Sequence, residues 1–215
     1  MTMTAEDMAQ PVIFSIGHST HAYGRFLELV RQTGVTAIAD VRSAPFSRRA
    51  PQFNQDALRQ ALRRDGLAYV YLGEARGGRP AARRYYRDGV VDYERMADSA
   101  AFRRGLERLL DGARTYRIAL MCSEQEPLDC HRCLLIGRAL SGDGVAVRHI
   151  LADGAVLDHA EAEARLMALE GREGGDLFLS RGELLAHAYR RRARRAGHAE
   201  PDMEGAVNAK ASLSA

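Results

Sequence analysis

No apolar run in this 215-residue chain approaches the roughly 20 residues that a membrane-crossing helix needs, so a membrane partner is not expected. The first residues, MTMTAEDMAQ, lack a basic stretch followed by an apolar core. That is no export signal, and a cytoplasmic setting is the expectation. Cysteine is scarce, with three residues. An odd count without an export signal argues against a disulfide framework and for reduced thiols. Internal repeats are absent. Lysine is nearly absent too, with Lys210 alone beside 30 arginines. A GC-rich coding sequence gives the same skew, so the arginine richness says little by itself. Its distribution says more. Residues 42–104 hold 14 arginines against seven acids, a local excess of +7 in a chain of net charge +3. That clustering points to an anionic partner, a small molecule or a nucleic acid.

What the chain does have is concentrated in residues 118–138, IALMCSEQEPLDCHRCLLIGR. Cys122, Cys130 and Cys133 all lie there, with Glu124, Glu126, Asp129, His131 and Arg132. Reactive polar side chains between two apolar runs are costly to place for stability alone.

Short β-rich runs at 12–16, 35–41, 67–72, 116–121 and 145–151 alternate with amphipathic stretches at 23–31, 54–66 and 102–110. Asn54 is placed to cap the second of these, and a further helix starts at Cys130 or His131. Residues 80–100 read as a surface loop and a short helix. The pattern predicts an α/β fold: a single three-layer domain with a mainly parallel sheet of about five strands, plus C-terminal helices. The expected organisation is a disordered N-terminus at 1–10 and an α/β domain at 11–160. A helical appendage at 161–196 and a disordered tail at 197–215 follow. The basic run at 190–195 is a candidate contact for nucleic acid or an acidic partner.

In open parallel sheets ligands sit at the carboxyl ends of strands. His18 and Ser19 follow the first strand, and Asp40 and Arg42 end the second, with Ser47 and Arg48 beyond. A glycine-rich basic loop, GEARGGR, follows the third. Cys122 and Glu124 follow the fourth, and His149 ends the fifth. Cys130, His131 and Arg132 open the next helix, whose N-terminus favours anions. Cys133, among apolar neighbours, reads as structural. The Gly77-Gly78 loop matches no P-loop spacing. A phosphatase-type loop needs arginine six positions after its cysteine, where this chain has Leu128. Zinc is disfavoured on spacing: C-x7-C-H lacks the paired cysteines of closed sites, and adjacent Cys130 and His131 are not expected to face one ion.

The segments IGHST, DVR with a following P-x-S-R-R, MCSE with CHR just after it, and RHI-x2-DG-x4-H together resemble the family catalogued as domain of unknown function 488. The resemblance runs from about Val12 to His159. It implies a compact α/β domain in a bacterial or archaeal cytoplasm and no established reaction. The matching positions are His18, Ser19, Asp40, Arg42, Ser47, Arg48, Cys122, Glu124, Cys130, His131, Arg132 and His149.

Two functional expectations follow. One is an enzyme acting on an anionic substrate, a nucleotide or nucleic acid, by hydrolytic or nucleic-acid-processing chemistry. Asp40 or Glu124 serves as acid or base, assisted by His18 or His131, with Cys122 open to a covalent step. Ser19, Arg42, Ser47, Arg48, Cys130, Arg132 and His149 hold the substrate. No metal or other cofactor is expected in that reading. The alternative is a thiol-redox or metal- or haem-binding module built on Cys122 and Cys130.

Overall fold

The computed structural model describes residues 11–73, 77–174 and 177–199. The elements run β1 (Ile13–Gly17), α1 (Tyr23–Gln32), β2 (Ala37–Asp40), α2 (Gln55–Arg64) and β3 (Ala68–Tyr71). A small hairpin follows, β4 (Tyr86–Arg87) with β5 (Val90–Val91), then α3 (Tyr93–Ala97), α4 (Ala100–Ala113) and β6 (Ile118–Cys122). The chain closes through α5 (Arg138–Gly142), β7 (Val147–Ile150), β8 (Val156–Asp158), α6 (His159–Leu169) and α7 (Arg181–Ala196).

Six strands form one sheet in the order β3-β2-β6-β1-β7-β8. All neighbours pair in parallel except β7 with β8. Five of these strands coincide with the expected ones. The sixth, β8, was not foreseen: it is three residues long, and only Leu157 of it is buried. A strand with one buried side chain has no alternation to detect.

The sheet is sandwiched as the α/β expectation required. On one face α1 and α2 bury Phe26, Leu29, Val30, Leu58 and Leu62 against Phe14, Ile16 and Ile38. On the other, Phe102, Leu106 and Leu109 of α4 and the segment Cys133–Ile136 pack on Ile13, Ala39 and Leu120. Side chains of successive strand residues point to opposite faces, so each strand feeds both layers. Helix α4 starts where its serine allows it: Ser99 Oγ accepts from Phe102 N at 3.2 Å. The cap expected at Asn54 is not made. Asn54 Oδ1 instead accepts from the Ser47 backbone N–H at 2.7 Å, tying the loop after β2 to the start of α2.

The last helices are no appendage. Leu184, Ala188 and Tyr189 of α7 are buried in the same cluster as α4 and β6. The basic face of α7 is paired within the molecule. Arg190 meets Glu94 at 3.3 Å, Arg191 and Arg195 meet Glu170 at 3.1 Å each, and Arg192 pairs with Asp129. Residues 197–199 were expected in the structureless tail, yet Ala199 bridges Val90 and the His198 carbonyl accepts from Val91 N at 3.2 Å. The other expected disordered parts, 1–10 and 200–215, lie outside the described residues. Among the described residues no helix is long and apolar enough to cross a membrane.

Candidate functional site

The carboxyl ends of β1, β2 and β6 come level because the register pairs Gly17 with Cys122 and Asp40 with Met121. The pairing continues past the strands: His18 N donates to Cys122 O at 2.8 Å and Ser19 N to Ser123 O at 3.0 Å. Ser19 adopts φ +46°, a left-handed conformation uncommon outside glycine. Its hydroxyl reaches Gln125 Oε1 at 3.3 Å, so Ser19 clamps the loop after β6.

Behind that edge lies a fully buried ion pair. Asp40 Oδ1 accepts from Arg42 Nε at 2.9 Å and from Arg42 N at 3.1 Å; Oδ2 accepts from Arg42 Nη2 at 2.6 Å and from the Tyr69 hydroxyl at 2.8 Å. The guanidinium also donates to Phe53 O at 2.8 Å and to His18 Nε2 at 3.1 Å. Since the arginine is the donor, His18 Nε2 is an acceptor, and its Nδ1–H donates to Ser19 O at 2.8 Å. Burial, then the Arg42 charge, pushes the pKa of His18 down to about 4. The ring is a neutral spacer stacked 4.4 Å from Phe53.

The second wall is the cysteine segment. Both thiols turn to one oxygen, Glu124 Oε2: Cys122 Sγ at 2.9 Å and Cys130 Sγ at 3.0 Å. His131 Nδ1 lies 3.7 and 3.8 Å from the same two sulfurs. Its Nε2–H donates to Val41 O at 2.9 Å, fixing the ring so that Nδ1 faces the sulfur atoms. These four ligand atoms lie within 4.8 Å of one another. The expectation that Cys130 and His131 face apart is therefore wrong, for a backbone reason. Cys130 is extended (φ −136°, ψ 141°), whereas His131 is already helical (φ −60°, ψ −21°). The break between them swings both side chains to one point. The following turns, Arg132–Gly137, are wound as a π-helix, a form concentrated at functional segments.

The two thiols titrate as a pair. Burial raises the Cys130 thiol, but Cys122, Arg132 and His131 together bring it below the ordinary thiol range, while burial and Cys130 drive the Cys122 thiol up. Arg132 itself is fully buried and donates to two loop carbonyls, Glu124 O at 2.5 Å and Gln125 O at 2.8 Å. It shapes the loop and does not reach outward. Gly17 is required where that loop crosses β1: a Cβ there would sit 1.9 Å from Glu124 O. Gly17→Ala should displace the loop and lower stability by about 1–3 kcal/mol, read as the urea midpoint. An unchanged midpoint would contradict that packing.

Between the two walls opens a cleft of about 250 Å³, lined by Arg42, Ser43, Ser47, Cys122, Glu124 and His131 and continued by Phe46, Gly78, Arg79 and His198. Gly77 and Gly78 serve close packing, since a Cβ on them would fall 2.2 Å from Ser43 Oγ and 2.9 Å from His131 Nδ1. Sequence reasoning missed Ser43, Arg79 and His198. Arg79 was visible within the basic GEARGGR loop; His198 gave no signal, lying in a stretch without periodicity. Residues 74–76 of that loop lie outside the described residues.

The family model described as Domain of unknown function DUF488 matches residues 22–139, more than half the chain. The chain belongs to this family. No curated protein and no solved structure matches it. The span matched to DUF488 includes Asp40, Arg42, Ser47 and the whole cysteine wall. His18, Ser19, His149 and His198 fall outside it.

Of the twelve expected residues of the DUF488 site, Arg42, Ser47, Cys122, Glu124 and His131 line the cleft. Asp40, His18, Ser19, Cys130 and Arg132 sit behind its lining, and Arg48 and His149 are placed elsewhere. Arg48 is exposed and does not line the cleft. His149 points away from it into a buried chain on the α6–α7 side. Tyr189 donates to Glu163 at 2.9 Å, so its oxygen accepts from His159 Nε2 at 3.0 Å. His159 Nδ1 then accepts from His149 Nε2 at 3.0 Å, and His149 Nδ1 accepts from Ser15 Oγ at 2.7 Å. Every member is satisfied by the next. Residue 149 precedes the strand end by one position and pairs in register with Ser15, which sets it inside the sheet instead of at its rim.

Proposed function

We propose that this DUF488 domain is an enzyme acting on an anionic substrate of the nucleotide or nucleic-acid class, bound in the cleft at the carboxyl edge of the sheet. The observation that carries this reading is that Glu124 and His131 share the lining of one cleft with Arg42 and Arg79. A half-buried carboxylate in one cleft with guanidinium groups offers both anion recognition and an acid–base group. Arg79 at the rim, with the Ser43 and Ser47 hydroxyls, takes the anion. Arg42 has one Nη1 hydrogen beyond those given to Asp40, His18 and Phe53, and contributes it from the cleft floor. Glu124 is the acid–base group nearest the substrate. Asp40 and His18 do not line the cleft and act as positioning residues through Arg42.

Binding tests the reading. Inorganic phosphate, a nucleoside monophosphate and a short single-stranded oligonucleotide are titrated into the full chain over a salt series. Saturable binding that weakens with salt is expected for at least one. Arg79→Ala should weaken it by about ten- to a hundredfold, since a hydrogen bond to a charged group contributes about 1.5–3 kcal/mol. Absence of saturable binding for all three probes at low salt would remove the anion reading.

A further inference from the structure

We infer that Cys122, Cys130, His131 and Glu124 form a binding site for a zinc-class divalent ion at the floor of the cleft. This deepens the reading above by naming what the reactive wall holds.

The donor set and its geometry carry the inference. Two thiolates and an imidazole nitrogen are ligands that suit zinc. With bonds of about 2.3 Å to sulfur and about 2.0 Å to nitrogen or oxygen, neighbouring donors of a tetrahedron stand about 3.5 Å apart. The two sulfur–nitrogen distances, 3.7 and 3.8 Å, need almost no adjustment. Glu124 Oε2 lies closer, at 2.9 and 3.0 Å from the sulfurs, and retreats by about half an ångström to take the fourth position. It can do so because it is partly exposed and faces the cleft, whereas Cys122, Cys130 and His131 are buried. Cys122, Cys130 and His131 are the three fixed ligands. Glu124, on the cleft side, is the one that gives its position to water or substrate and is then free as the acid–base group, which leaves the open position of a reactive site.

Two independent features support an ion here. The first is the hydrogen bond from His131 Nε2–H to Val41 O at 2.9 Å. Ligating histidines almost always donate their other nitrogen in this way, which orients the ring and leaves the ligand nitrogen fixed. The second is charge. Arg132 is fully buried, its Nε has no hydrogen-bond partner, its Nη groups donate to carbonyl oxygens, and its backbone N–H donates to Cys130 Sγ at 3.5 Å. Among the described residues no carboxylate lies at ion-pair distance from it. A buried guanidinium needs an anion beside it, and a Cys130 thiolate is the one at hand. Two thiolates, one carboxylate and a divalent cation sum to −1, which Arg132 balances. Binding the ion releases the thiol protons to solvent, so charge and protons both close.

The remaining sulfur–nitrogen cluster behaves differently. Cys133, His149 and His159 also lie close together, but both rings have committed their nitrogens to Ser15, each other and Tyr189. No imidazole lone pair is left there, so Cys133 serves as the control position.

The test is metal content and cobalt spectroscopy on the full chain, purified without a metal-binding tag and kept reduced. About one zinc per chain is expected. Stripped protein titrated with Co²⁺ should show the visible bands of a tetrahedral site and a near-ultraviolet thiolate-to-cobalt band, saturating at one equivalent. Cys130→Ser should lower bound zinc at least tenfold, and Cys133→Ala should leave it unchanged. Wild-type protein that binds no zinc and gives no tetrahedral cobalt bands would overturn the site. So would a Cys122–Cys130 disulfide that persists in the presence of excess reductant. The cobalt spectrum needs no variant, so a variant that fails to fold does not obscure the answer. No substrate enters these measurements, so failure of the anion reading leaves their outcome intact.

Discussion

Asp40→Ala is expected to destabilise the domain by about 3–5 kcal/mol, because removing one partner of a buried ion pair leaves the other charge uncompensated. Asp40 is fully buried and receives four hydrogen bonds, three from Arg42 and one from Tyr69. Without it the Arg42 guanidinium keeps only Phe53 O and His18 Nε2, two neutral acceptors, with one edge at the cleft floor. Tyr69 loses its acceptor at the same time. The double variant Asp40→Leu/Arg42→Met should recover part of the loss, since replacing both ions by apolar groups is often near neutral. Recovery will be incomplete, because Phe53 O and His18 lose their donor. The measurement is urea unfolding, with the midpoint shifted and the slope unchanged. A single-variant loss below about 1 kcal/mol would show that the pair is hydrated and that Arg42 is not held for the cleft by Asp40.

The five main strands were legible because each is a short apolar run between turn residues, and β6, IALMC, is buried at every position. Strand ends then told which side chains share an edge, and that is why His18, Asp40, Arg42, Cys122 and Glu124 were found from sequence. What sequence could not supply was direction. Asp40 and Cys122 sit at ends of adjacent strands, yet Asp40 faces the α2 layer and Cys122 faces the π-helical segment. His149 was one residue short of the rim, and one residue decides whether a side chain meets the cleft or the core. The convergence of Cys130 with His131 depends on a backbone break that no spacing rule encodes. Arg132 read as an anion holder from its place at the start of a helix, whereas its Nη donors are taken by the carbonyls of its own loop. The α7 arginines read as a nucleic-acid surface for a similar reason: their acidic partners, Glu94, Asp129 and Glu170, are distant in sequence and become neighbours only in the fold.

The largest pH effect should come from His149 and His159. Burial, joined for His149 by the neighbouring His159, pushes their pKa values down from about 6.5 to about 3 and about 4. Both rings are neutral links in the chain from Ser15 to Glu163, and each nitrogen already has a partner that requires the neutral form. Above pH about 6.5 folded and unfolded chains alike hold these rings neutral, and the contribution to stability is complete. As the pH falls below that value the unfolded chain takes up protons that the folded chain refuses. Stability then drops with every unit until the folded pKa values are reached. Each unit is worth about 1.4 kcal/mol per histidine, so by pH 4 the loss is about 3 kcal/mol for each. Carboxylates also protonate at the lower end of this window, so the useful quantity is the difference between wild type and His159→Gln. Removing one titrating ring should flatten the fall between pH 6.5 and 4.5, whatever the variant's stability at neutral pH. Equal slopes for the two proteins across that interval would mean that His159 is already charged in the folded state. The buried chain would then run through imidazolium instead of neutral imidazole.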